Sequence, residues 1–160
     1  MKTKKIAILG AECSGKSTLA KSLAIKYKSI AVFEYLRYFC TKYSIPTNNF
    51  QQYYIANKQI YLENLALKHA KKSKAKYIFC DTTPLLTCIY SDFYIKEDKY
   101  LLDLALKHQK SYDLVLLVSP NIAWIQDGLR DSQEVRKEIF IRVYNFLILH
   151  SIRFRVININ

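Results

Sequence analysis

Short apolar runs punctuate this chain, and longer stretches of helical periodicity separate them. The runs are Lys5 to Leu9, Ile30 to Phe33, Tyr77 to Cys80, Leu114 to Val118 and Phe154 to Ile157. Leu114 to Val118 is apolar without a break, the pattern of a strand covered on both faces. Between the runs, Leu19, Leu23 and Tyr27 recur at i, i+4 spacing and predict a helix over about 15–28. A longer helix is predicted over about 50–71, opened by Asn48 and Gln51 as a capping pair. Further helices are expected near 99–107 and over about 133–149, with a loop over 124–132. Strands alternating with helices predict an α/β fold: a three-layer, doubly wound sheet of five mainly parallel strands. In such a sheet ligands sit at the carboxyl ends of the strands.

The length of 160 residues and a 51% hydrophobic composition fit a single domain, 1–160, with a core that needs neither disulfide nor metal. The net charge of +12 is carried mostly by Lys, spread from end to end. It reads as a solvated surface whose field steers anionic ligands, and a nucleic-acid footprint is the less favoured alternative. Cys13, Cys40, Cys80 and Cys88 form no CxxC pair and lack His at ligand spacing, so free thiols are expected and zinc is not. The N-terminal apolar run is short and is followed by Glu12 and Lys16, unlike a secretion signal, and no stretch is long enough to span a bilayer. A cytoplasmic location is the expectation.

One segment changes the picture. Gly10, Ala11, Glu12, Cys13, Ser14, Gly15, Lys16 and Ser17 fit GxxxxGK[ST], between an apolar strand and an amphipathic helix. This phosphate loop spends two of the chain's three glycines. Glycine lets the backbone close around phosphate oxygens, and the exposed N–H groups with the helix dipole favour the anion. Lys16 is expected on the β- and γ-phosphates of ATP, and Ser17 on magnesium (Mg2+). Thr18 caps or packs beside them. Glu12 inside the loop either holds a cation or a substrate hydroxyl, or is simply solvated.

Two carboxylates follow strands. Asp81 ends the third apolar run, where a carboxylate can associate with Mg²⁺ or accept the proton of an attacking hydroxyl. The alternative is a helix N-cap formed by Asp81 or Thr82. Glu34 follows the second run, on the acceptor side of the expected cleft, as base or hydroxyl ligand. Arg37 lies one helical turn on, touching an anion or forming an exposed pair with Glu34. After the fourth run, Trp124, Asp127, Gly128 and Arg130 precede Arg136. Two of only six arginines fall here, and Arg suits the equatorial oxygens of a transferring phosphoryl group. A lid over about 120–136 carrying Arg130 and Arg136 is expected, with a turn and surface arginines as the alternative. Trp124 stacks on a flat ring or is ordinary core. His69, His108 and His150 read as structural or surface residues.

These segments in order resemble the NadR-type nicotinamide riboside kinase domain: Gly10 to Leu19, then Glu34-Tyr35-Leu36-Arg37, Asp81-Thr82-Thr83 and Trp124 to Arg130. The resemblance covers nearly the whole chain. The phosphate loop is generic, whereas Glu12 within it and the EYxR-like and WxQDGxR-like segments are specific. It implies a P-loop kinase fold and ATP-dependent phosphorylation of the 5′-hydroxyl of nicotinamide riboside, giving nicotinamide mononucleotide. By position it implies Lys16 and Ser17 on ATP-Mg, and Asp81 at the reacting hydroxyl or metal. Tyr35, Trp124 and Asp127 would lie near the riboside, and Arg130 and Arg136 in a lid. Thr83 stands where the family often has a second acidic residue. The rivals are another nucleoside or nucleotide kinase, and a P-loop ATPase with a macromolecular partner. A GTPase is disfavoured because Asn57-Lys58-Gln59-Ile60 fails the NKxD pattern.

Overall fold

The computed structural model describes residues 2–123 and 132–159. Among them the elements run β1 (Lys4–Leu9), α1 (Lys16–Lys26), β2 (Ile30–Val32), α2 (Tyr35–Lys42), α3 (Asn49–Lys72), β3 (Tyr77–Asp81), α4 (Pro84–Tyr94), α5 (Lys99–Gln109), β4 (Leu114–Val118), α6 (Gln133–Leu149) and β5 (Arg155–Ile157). The sheet has the order β2-β3-β1-β4-β5 and every pairing is parallel. That is the five-stranded, three-layer arrangement expected from the sequence. β1 lies at its centre, with Ile8 opposite both Asp81 and Leu116.

Strand alternation sorts the core into two faces. Ala7, Leu9, Val115 and Leu117 point to one face and pack with Leu86 and Ile89 of α4, Leu101 of α5 and Val143 and Leu147 of α6. Ile6, Ile8, Phe79 and Val118 point to the other and meet Ala20 and Ala24 of α1. The small alanines let α1 lie close on the sheet, which fixes the loop before it over the ends of β1 and β4. Ile78 and Cys80 pack with Ala70 of α3.

The long helix starts as expected: Asn48 Oδ1 accepts from the Gln51 amide at 2.9 Å, and Gln51 Oε1 accepts from the Thr47 amide at 2.9 Å. Two helices, α2 and α4, were not foreseen. α4 is buried continuously from Pro84 to Ser91, so it shows no polar stripe. α2 is short, and its rings Tyr35 and Phe39 are buried with Ile55 of α3. Tyr27 sits at the sheet's rim rather than in the core, edge-on to Tyr77 at 5.3 Å between ring centroids.

Across the sheet's far end lies a buried ionic cluster. Glu63 of α3, fully buried, accepts from Lys5 Nζ at 2.8 Å, from Tyr112 Oη at 2.9 Å and lies 2.7 Å from His108 Nε2. Lys5 Nζ also donates to Ser111 Oγ at 2.8 Å and lies over the Tyr112 ring. His108 is thus structural, in line with the expectation from sequence. Cys13, Cys40, Cys80 and Cys88 are free, and burial pushes the Cys88 thiol up to about 12. No described helix is long and apolar enough to cross a membrane.

Candidate active site

The turn from β1 into α1 is shaped by residues that only a glycine-bearing loop can accommodate. Gly10 has φ +150°, and a Cβ there would stand 2.7 Å from the Val118 carbonyl oxygen and 2.9 Å from Ser14 Oγ. Gly15 has φ +88° and opens α1 from the left-handed region. Cys13 also adopts positive φ, 53°. The loop therefore curls over the carboxyl ends of β1 and β4 and presents the first turn of α1 inward. Lys16, buried to 6% exposure, donates to the Ala11 carbonyl at 2.8 Å. Ser14 is fully buried.

β3 delivers Asp81 to the same place, because its register puts Asp81 beside Ile8 of β1. Ser17 Oγ donates to Asp81 Oδ2 at 2.5 Å. Asp81 Oδ1 is buried and has no hydrogen-bond partner among the described residues. Burial pushes the Asp81 carboxyl above its ordinary range, and the Glu34 charge adds to that, while the Lys16 ammonium and the Ser17 hydroxyl act against it. Asp81 does not cap the next helix: Thr83 holds the N-cap position of α4, with Pro84 following. Thr82 turns the chain there at φ 66°, its amide donating to the Ile8 carbonyl at 3.1 Å.

β2 ends beside β3, with Val32 opposite Cys80, and so brings Glu34 to the neighbouring position. Glu34 occupies the N-cap position of α2 without a side-chain cap bond. Its Oε2 lies 3.6 Å from Arg37 Nε, and Arg37 is half exposed. The i, i+3 ion pair is therefore formed, with Arg37 exposed and the Glu34 side chain 12% exposed. Lys16, Ser17, Thr18, Asp81, Glu34 and Arg37 line one cleft of about 820 Å³, together with Cys13, Gly15, Ile122 and Ala123.

Two expected residues lie elsewhere. Tyr35 turns inward, 9% exposed, its amide held by Gln59 Oε1 at 2.9 Å, and burial beside Tyr54 raises its phenol. The period of α2 presents Tyr38 to the cleft instead, edge-on to Phe33 at 6.5 Å between centroids, and both rings line it. Neither ring was singled out from sequence, although Phe33 adjoins Glu34 and Tyr38 follows Arg37. Arg136, expected over ATP, is 5% exposed and donates to the Pro120 and Ile122 carbonyls, the latter at 2.8 Å. Burial takes its guanidinium out of the cleft. Trp124, Asp127 and Arg130 lie outside the described residues.

Residues 5–160 match the protein family described as an AAA domain. The chain belongs to that family. It is 32% identical over 131 residues to the trifunctional NAD biosynthesis/regulator protein NadR of Salmonella typhimurium, an alignment covering 78% of this chain and 30% of that protein. The chain thus spans about a third of that relative's length. Among solved structures it is similar to the NadR protein in complex with NR, with a TM-score of 0.77 at 20% identity over 97% of this chain and 45% of the other. It is also similar to the NadR protein in complex with NAD and AMP-PNP, with a TM-score of 0.74 at 19% identity over 99% and 45%. At such identities these two likenesses establish the fold: α1, the phosphate loop and the strand ends share one P-loop architecture.

Proposed function

We propose that this AAA-domain chain is an ATP-dependent kinase that phosphorylates the 5′-hydroxyl of nicotinamide riboside to nicotinamide mononucleotide. The observation that carries the reading is the single cleft joining the phosphate loop to Glu34 and Arg37, with Asp81 between them. A donor floor and an acceptor wall open into one space, as in-line phosphoryl transfer requires. The kinship with NadR supports the choice of acceptor, since the related structures carry NR in one case and NAD with AMP-PNP in the other.

In this reading the loop amides and Lys16 hold the ATP phosphates, and Lys16 exchanges its Ala11 carbonyl for phosphate oxygen. Mg²⁺ fits the donor set: a hydroxyl and a carboxylate in contact, with Asp81 Oδ1 buried and unpaired among the described residues. Magnesium is usually held by one or two carboxylates together with phosphates and water, so Ser17 and Asp81 suffice. Held there, it would neutralise charge on the phosphates. Asp81 then orients the attacking hydroxyl or takes its proton, and Glu34 holds the acceptor's remaining hydroxyls or shares the role of base. Arg130, from the resemblance, supplies charge to the transferring group. Trp124 and Asp127 are its proposed riboside contacts, and the site is that of a cytoplasmic enzyme acting on a small molecule.

The test is ADP release from ATP-Mg with purified protein, comparing nicotinamide riboside with other nucleosides, nucleotides and no acceptor. Turnover selective for nicotinamide riboside is expected. Turnover with a different acceptor would keep the kinase and discard the substrate. Release that needs no acceptor would replace the kinase with an ATPase.

A further inference from the structure

Arg136 is the one arginine among the buried polar and charged residues described. A guanidinium 5% exposed must find acceptors, and among the described residues this one finds backbone carbonyls. From the first turn of α6 it reaches the Pro120 carbonyl and, at 2.8 Å, the Ile122 carbonyl through Nη2, and the Cys13 carbonyl at 3.5 Å through Nη1. Cys13 belongs to the phosphate loop, and Pro120 and Ile122 belong to the segment leaving β4. The thiol of Cys13 joins the same contact, 3.8 Å from the Ala123 carbonyl. Ile122 also leans on the loop, since a Cβ on Gly15 would stand 2.7 Å from its Cδ1.

We propose that Arg136 is a positioning residue for nucleotide binding: it clamps the Cys13 carbonyl outward and so turns the following amide into the phosphate cradle. The inference rests on the reading that ATP occupies this loop. In a planar trans peptide the carbonyl and the N–H point in opposite directions. Holding the Cys13 oxygen against α6 therefore aims the Ser14 N–H away from α6. Cys13 is a non-glycine residue at positive φ, a conformation that persists where the surroundings impose it. A planar fork suits several carbonyls at fixed angles, and a lysine ammonium would not hold them all. The role differs from that of a phosphate-contacting lid arginine, because it acts on affinity for the nucleotide and not on the transferring group.

Titration calorimetry with ATP-Mg, and steady-state kinetics on the same preparations, should compare wild type with Arg136→Lys and Arg136→Met. For Arg136→Met the expected loss of ATP affinity is about ten- to a hundredfold, the range for hydrogen bonds from a charged donor. The acceptor KM should stay within about twofold and kcat at saturating ATP within about threefold. Arg136→Lys should fall between the two proteins. ATP affinity within about twofold of wild type in either folded variant overturns the inference. So does a loss of kcat at unchanged affinity, which would put Arg136 on the transferring phosphoryl group. If Arg136→Met does not fold, Arg136→Lys decides by the same criterion. A wild-type protein that binds no ATP-Mg refutes the proposed function itself, and this inference with it.

Discussion

Replacing Glu63 by Ala removes the carboxylate paired with the Lys5 ammonium while leaving that residue, 4% exposed, with its ammonium over the Tyr112 ring. Lys5 keeps its Ser111 and His108 neighbours but has lost its counter-ion. Breaking a buried pair in this way costs about 3–5 kcal/mol, because one charge stays buried without compensation. In a domain of this size each kcal/mol moves the midpoint by about 2–4 °C, so the melting temperature should fall by roughly 6–20 °C. The cluster lies near the start of β1, and the phosphate loop follows that strand's other end. The KM for ATP at 25 °C should therefore hardly move. Differential scanning calorimetry, with ATP kinetics alongside, measures both. Replacing the pair together, Lys5→Met with Glu63→Leu, should recover most of the loss, since a well-packed apolar pair of similar volume dispenses with the desolvation penalty. A drop below about 1 kcal/mol in Glu63→Ala would refute the claim that the pair is dry and coupled.

Asp81→Asn should lower turnover by about 10²–10⁴ if the carboxylate helps move the hydroxyl proton, while the apo protein melts no lower than wild type. Burial raises the Asp81 carboxyl, so folding favours its protonated form; that stability is present below the unfolded value and lost as pH rises through the folded one. Acidification through that window should favour folding of the metal-free protein through this group, and an Asp81→Asn variant whose stability shows the same pH dependence as wild type there would count against it. Gly15→Ala places a side chain at φ +88° and 2.7 Å from Ile122 Cδ1, and should cost about 1–2 kcal/mol from the backbone alone. Equilibrium urea unfolding reads that loss, and an unchanged midpoint would argue against the left-handed turn.

Strands and the phosphate loop were legible because each announces itself locally. An apolar run between polar stretches is a strand wherever the sheet is covered on both faces, and β4 fell on Leu114–Val118 as read. α4 was not legible for the converse reason: with Leu85, Leu86 and Ile89 buried alongside Thr87 and Ser91, no polar side marks its period. Asp81 and Glu34 could be singled out because strand ends converge in a parallel sheet. Tyr35 and Arg136 could not be placed, since the face each turns to depends on Gln59, 24 residues on, and on carbonyls at 13, 120 and 122. The Lys5–Glu63–His108 cluster joins residues up to 103 apart, which no local pattern encodes.

Lys16 is bonded to Ala11 and Ser17 to Asp81. Two of the groups proposed for the nucleotide and its metal thus already have partners within the fold, while Asp81 Oδ1 has none among the described residues. Binding then trades partners instead of creating them, and the difference between two hydrogen bonds is far smaller than either alone. A loop built this way holds its shape through bonds of its own.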